Sequence, residues 1–215
     1  MKKLTFLVIL MLTGLTLLSG EESKAEAIFL DVHSKILSAL PDSFNGRLKA
    51  KSVEKNLKNI PKSSYIDPKK DIYVEVAYSK KSGVEFNVKN VDELYKDMYR
   101  NLPRQIFAFD LLLAKTDTNT LRKYDISIEH ESENTTILKL NVRNSENKVL
   151  LYVDNRINKI LRIDYEIGKD LLNSTIIIYR DIDKYSIPYK FISKSFNKGT
   201  STVPEIYEID NIQIK

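Results

Sequence analysis

The side chains that could do chemistry are few and scattered. There are two histidines, His33 and His130, and no H-x-x-x-H or comparable ligand spacing. His33 lies beside polar positions of an amphipathic segment and reads as solvated. His130 stands between Glu129 and Glu131 at a strand end and reads the same way. The chain has no cysteine, which removes thiolate nucleophiles, cysteine metal sites, disulfides and a lipid-bearing N-terminal cysteine. No G-x-S-x-G elbow, Walker loop or G-x-G-x-x-G occurs, and six glycines leave little room for a phosphate cradle. Asp181 and Asp183 flank Ile182 and could hold calcium, but they read as a wet turn. Asp110 is the one charge in an apolar nonapeptide. It either faces solvent or pairs with a base across a cavity mouth, because an enclosed carboxylate without a partner is costly. Asn134-Thr-Thr136 and Asn173-Ser-Thr175 match the glycosylation pattern by chance. These residues predict a protein that is not an enzyme, with no catalytic group, no cofactor and no metal.

The elements that would position a ligand are clearer. Residues 28–40 form an amphipathic helix with Ile28, Val32, Ile36, Leu37 and Leu40 on one stripe, ended by Pro41-Asp42. The stretch from Phe44 to Asn59 is poorly patterned and holds at most one irregular strand, Arg47–Val53. Ile72–Tyr78 and Val84–Val88 alternate around Lys80-Lys81-Ser82-Gly83, which is a hairpin. Asn90 or Asp92 caps a helix with Val91, Leu94, Met98 and Leu102 as its apolar stripe, and Pro103 breaks or kinks it. Tyr95 and Tyr99, at helical spacing, read as packing. Ile106–Ala114 is apolar nearly all round, so it is buried on both sides or covers an apolar cavity.

After the polar loop Thr116–Thr120 the rest is β. The expected strands are Tyr124–His130, Thr135–Val142, Val149–Val153, Lys159–Ile167, Ser174–Tyr179, Pro188–Ser195 and Glu205–Ile214. Turn residues join them into an antiparallel meander wet on one side. The fold class is therefore α+β: a strongly curved antiparallel sheet, an open half-barrel, with helices packed in its concave face. Strand alternation and the helical period place Ile72, Val74, Val76, Phe86, Leu138, Leu140, Leu151 and Ile163 on the concave surface. Facing them are Met98, Leu102, Ile106, Phe109 and Leu113.

The N-terminus addresses the chain outward. Met1-Lys2-Lys3 precedes an apolar run, Leu4–Leu18, and then a small polar region. That is the layout of a secretory signal peptide, too short to span a bilayer comfortably. Ala25-Glu26-Ala27 offers the cleavage site and Ser19-Gly20 an alternative; an uncleaved anchor is the rival reading. Residues 1–27 are thus read as signal peptide and 28–215 as one domain, soluble after cleavage. The net charge of +5 comes without an arginine cluster or aromatic-basic interleaving, which argues against nucleic acid.

Three stretches resemble the LolA/LolB-like lipoprotein carrier superfamily. They are the first helix and following strand, Ile28–Val53, and the apolar helix with its exit, Ile106–Ala114 through Leu121–Ile126. The third is the repeated rung Val149–Asp154, Arg156–Asp164, Ser174–Tyr179 and Ser186-Ile-Pro-Tyr-Lys190. The resemblance implies an exported, periplasmic, monomeric carrier whose partners are lipoprotein acyl chains or other lipid, with envelope membrane proteins as further partners. The residues of the concave surface and its covering helix would then line the ligand cavity. Arg47 and Arg104 are the candidates for the family's lumen arginine, which holds the lid closed. The alternative is an exported interaction or sensor module with a filled core and no lipid ligand.

Overall fold

A computed structural model of the chain describes residues 24–101, 107–113, 123–197 and 200–215. Helix α1 covers residues 24–39 of the described chain. Strand β1 (Ser43–Lys49), helix α2 (Lys51–Leu57) and a 3-10 turn (Lys62–Ser64) follow. Next come β2 (Tyr73–Ser79), β3 (Gly83–Lys89), helix α3 (Glu93–Lys96) and helix α4 (Phe107–Leu113). The meander then runs β4 (Tyr124–Glu131), β5 (Thr135–Val142), β6 (Asn147–Asp154), β7 (Lys159–Ile167), β8 (Asp170–Ile182) and β9 (Tyr185–Asn197). It ends with the short β10 (Thr200–Ser201) and β11 (Glu205–Ile214).

All strands join one antiparallel sheet in the order β3-β2-β1-β11-β9-β8-β7-β6-β5-β4, with β10 on β9. The sheet is curved and open, and β3 and β4 are its edges. Alternation decides its dry side: Phe44, Leu48, Val74, Val76, Phe86, Val88, Leu138, Leu140, Val149, Leu151 and Ile163 are all buried. Turn chemistry matches the backbone it must adopt. Asn144, Asn158, Asp183 and Gly168 sit at positive φ between successive strands. Pro188 is tolerated inside β9 because it faces Tyr179 where the β8–β9 register shifts between Ile178 and Tyr179.

The N-terminal strands join the meander non-locally where β1 meets β11, and Gly46 marks that seam. The register shifts between Asn45 and Arg47. A Cβ at Gly46 would collide with Ile209 Cγ2 and come within 3.2 Å of the Asp210 carbonyl oxygen. Both neighbours are fixed in the core or the ladder. Gly46→Ala is therefore expected to lower stability by roughly 1–3 kcal/mol through overpacking. Urea unfolding checks this, with an unchanged midpoint as the contrary result.

Two stretches differ from the sequence reading. The expected strand Arg47–Val53 ends at Lys49, and α2 begins two residues later. Val53 and Leu57 are buried one turn apart, with Ile60 beyond them. That i, i+4, i+7 spacing is a helical signal masked by the surrounding lysines. The expected helix from Asn90 toward Leu102 is a single turn. Asp92 caps it by accepting from the Leu94 N–H at 3.1 Å, but helical geometry lasts only through Lys96. Leu94 is consequently 82% exposed and Met98 47% exposed, so Met98 does not face the concave surface. Val91 and Tyr99 are buried instead, and the Tyr99 hydroxyl donates to the Val53 carbonyl at 3.3 Å, tying this segment to α2. Tyr95 is partly buried against the core.

Candidate functional site

The hollow of the sheet is built from the buried side chains of its strands and is occupied by two helices. From α1 come Ala25, Phe29, Val32, Ile36 and Leu40, all buried. Lys24 pairs with Glu131 at 2.7 Å, and Lys35 donates to the Asn158 amide oxygen at 3.1 Å, so α1 is held over β4 and the β6–β7 turn. Phe29 takes the central place that the sequence reading gave to Ile28, which is only partly buried. Cleavage after Ala27 would remove Lys24 and the fully buried Ala25, whereas cleavage at Ser19-Gly20 would keep both.

From α4 come Ala108, Phe109, Leu111, Leu112 and Leu113, all buried. Phe109 is the centre. It is fully shielded from solvent, and its ring meets Phe191 of β9 at 4.0 Å, Phe86 of β3 at 5.2 Å and Tyr207 of β11 at 6.4 Å. One side chain on a seven-residue helix thus touches strands on both sides of the β1–β11 seam. Aromatic pairs at these separations add to area burial.

Of the expected lining, Val74, Val76, Phe86, Phe109, Leu113, Leu138, Leu140, Leu151 and Ile163 come together in one core cluster. Ile72 is only partly buried: it precedes β2 and sits at the end of the sheet, where it lines an open cleft. Met98 is excluded as described above. Leu102, Pro103, Arg104, Ile106, the Thr116–Thr120 loop, residues 1–23 and the Asp110 side chain lie outside the described residues. Arg47 is not in the hollow. It alternates with the buried Gly46 and Leu48 and stacks over Tyr73 on the other face.

His33 overturns its reading as a solvated residue. It is 5% exposed, its ring stacks on Phe29 at 5.9 Å, and it donates to the backbone carbonyl of Leu111. It therefore joins α1 to α4. Burial holds its pKa below the ordinary 6.5, with the Leu111 carbonyl opposing. The unfolded chain binds the proton more readily, so this contribution is intact above pH 6.5 and is lost as pH falls through the depressed folded value. The wild type is expected to lose thermal stability as pH falls below about 6.5, and His33→Gln to flatten that slope. The shifted carboxylates, Asp154, Asp181 and Asp210, are lowered from 3.8 and act in a more acid window. Equal slopes for parent and variant would count against the assignment.

The carboxylates of the sequence reading find ordinary partners. Asp181 accepts from Ser186 at 2.6 Å and lies 3.7 Å from Lys159, while Asp183 occupies the turn at positive φ. Among the described residues no cluster of three or more His, Asp or Glu side chains is placed to hold a metal ion. Sequence reasoning missed Asp164, which is 2% exposed and receives Arg162 through two bonds of 2.8 and 2.6 Å. Arg162 also lies over the Tyr152 ring at 4.7 Å. The signal available was the i, i+2 spacing on one strand face.

The described chain is an open antiparallel half-barrel with helices in its hollow. The chain has the fold of the LolA superfamily. It superposes on the LolA superfamily protein NE2245 from Nitrosomonas europaea over 89% of this chain and 93% of that one, with a TM-score of 0.50 and 14% identity. MucB in complex with MucA(peri) aligns over 89% of this chain and 99% of that one at 10% identity, with a TM-score of 0.25 that carries no weight. No family model and no curated protein sequence matches.

Proposed function

We propose that this protein is an exported carrier that holds acyl chains of lipid or lipoprotein in the hollow of its sheet, with α4 as the removable cover. One observation carries the reading. The hollow of a LolA-superfamily fold is lined by apolar side chains and filled by a short helix that is separate from the sheet. Each methylene moved from water into such a surface is worth roughly 0.8 kcal/mol, so an acyl chain of ordinary length can compete with α4 for the same wall. Displacing Phe109 would expose Phe86 and Phe191 from opposite parts of the sheet to the incoming chain. The leader-like N-terminus supports delivery beyond the inner membrane, and the absence of cysteine fits a carrier without a lipid tether of its own. Among the described residues no helix is long and apolar enough to cross a membrane.

The reading is tested by mass spectrometry of lipid extracted from protein purified without detergent, together with titration by a fluorescent fatty acid. Co-purifying lipid and saturable binding are expected. A second reading is favoured by the completeness of the packing: Phe109, Leu112 and Leu113 are fully shielded. It makes α4 permanent core, and the protein an exported interaction module that binds no lipid.

A further inference from the structure

We propose that the protein carries a second binding site, for a small zwitterion, outside the hollow of the sheet. The site is a cleft of about 380 Å³ between the end of β1, α2 and the segment entering β2. That volume suits a small molecule, for which sites run from roughly 300 to 1,000 Å³. Leu48, Leu57, Ile72 and Tyr65 give it apolar and aromatic lining, and five charged groups line it: Arg47, Lys49, Lys58, Glu54 and Asp71, of which Lys49 is bound to Asp210 at 2.7 Å.

Arg47 carries the argument. Each of the other described arginines has a carboxylate within 4.0 Å: Asp97, Asp125, Asp154, Asp164 and Glu208 serve Arg100, Arg143, Arg156, Arg162 and Arg180. Among the described residues Arg47 has none, although two carboxylates are in register beside it. Its β2 neighbour Glu75 is bound to Lys89 at 2.9 Å, and its β11 neighbour Asp210 to Lys49 at 2.7 Å. The guanidinium instead lies 4.4 Å above the Tyr73 ring. Stacking fixes the plane of the fork and leaves its edge donors unspent by protein carboxylates, which preorganises a bidentate anion site.

The other three charges define the rest of the ligand. Lys58, Glu54 and Asp71 are likewise without an ion-pair partner among the described residues, so, with Lys49 taken up by Asp210, two unpaired cations and two unpaired anions line one cleft without closing on each other. Glu54 and Asp71 repel a polyanion and can accept from an ammonium group. The complement is a small molecule bearing one carboxylate or phosphate and one amine, with an apolar part against Leu57 and Ile72. Amino acids and the ethanolamine headgroup of a phospholipid both have this chemistry.

The test is protein-observed NMR titration with leucine and with phosphoethanolamine, using ethyl phosphate and ethanolamine as controls that bear only the anionic or only the cationic group. At least one zwitterion should shift amides of β1 and α2, with the controls about tenfold weaker, and Arg47→Gln should weaken binding about tenfold or more. Binding of leucine alone assigns an amino acid or peptide terminus, and binding of phosphoethanolamine alone assigns a lipid headgroup; either supports the site. A double variant, Glu54→Gln with Asp71→Asn, should abolish the preference for the zwitterion over ethyl phosphate. No shift with either zwitterion, or shifts unchanged in Arg47→Gln, overturns the proposal. Fatty-acid binding measured on the same samples should not change in Arg47→Gln, so failure of the acyl-carrier reading is scored separately.

Discussion

Phe109→Asp is expected to abolish binding of a fluorescent fatty acid while lowering the melting temperature only moderately. Leu113→Asp should behave the same way. Phe109 is fully buried among Phe86, Phe191 and Tyr207, so a carboxylate there cannot stay in place. A removable α4 has an escape: it undocks, and the cost is capped at the free energy of that undocking. A carboxylate on a strand has no such escape. Leu140→Asp, at a site that is 1% exposed in the middle of β5, should cost several kcal/mol and leave the domain near unfolding. Total stabilities of about 5–15 kcal/mol leave little reserve for that. The contrast between α4 and β5 is the readout, taken from melting curves and binding on the same samples. Equal collapse of all three variants, with no fatty-acid binding by the parent, would leave the interaction-module reading in place.

Arg162→Met should be among the most damaging changes on the other face of the sheet. Asp164 is buried, and its two bonds from Arg162 are what make an ionised carboxylate tolerable there. Removing one partner of a buried pair costs up to about 3–5 kcal/mol. The Arg162 side chain is 43% exposed, so solvent screens the pair, and about 2–3 kcal/mol is expected. Urea unfolding measures it. Adding Asp164→Leu to the same chain should recover most of the loss, because the charge that lacked a partner is then gone. A double variant no more stable than Arg162→Met would show that Asp164 is not the source of the cost.

Much of this architecture was legible because it is encoded locally. Alternation over two residues fixed which side of β2, β3, β5 and β6 is dry, and the buried faces of those strands are Val74 and Val76, Phe86 and Val88, Leu138 and Leu140, and Val149 and Leu151. Asn144, Asp183 and Gly168 punctuate the meander because they accept the positive φ that its turns need. The apolar run of α4 announced that it would be enclosed on more than one side.

The rest depended on partners distant in sequence. Nothing local says that β1 pairs with β11, since 43–49 and 205–214 meet only when the whole sheet assembles. That pairing puts Arg47 between Asp210 and Glu75, away from the hollow where the resemblance had placed it as a candidate. His33 reads as a polar helix position until α4 packs against it and Leu111 offers a carbonyl. Met98 reads as one stripe of a long helix until α3 stops after a single turn. The sequence by itself determined the strands of the hairpin and the meander, their wet and dry sides and the apolar character of α4, because those follow from spacings of two to four residues. The tertiary structure alone decided what α4 touches, which charges remain without partners, and where the cleft lies, because each is a distance between residues that only the assembled sheet brings together.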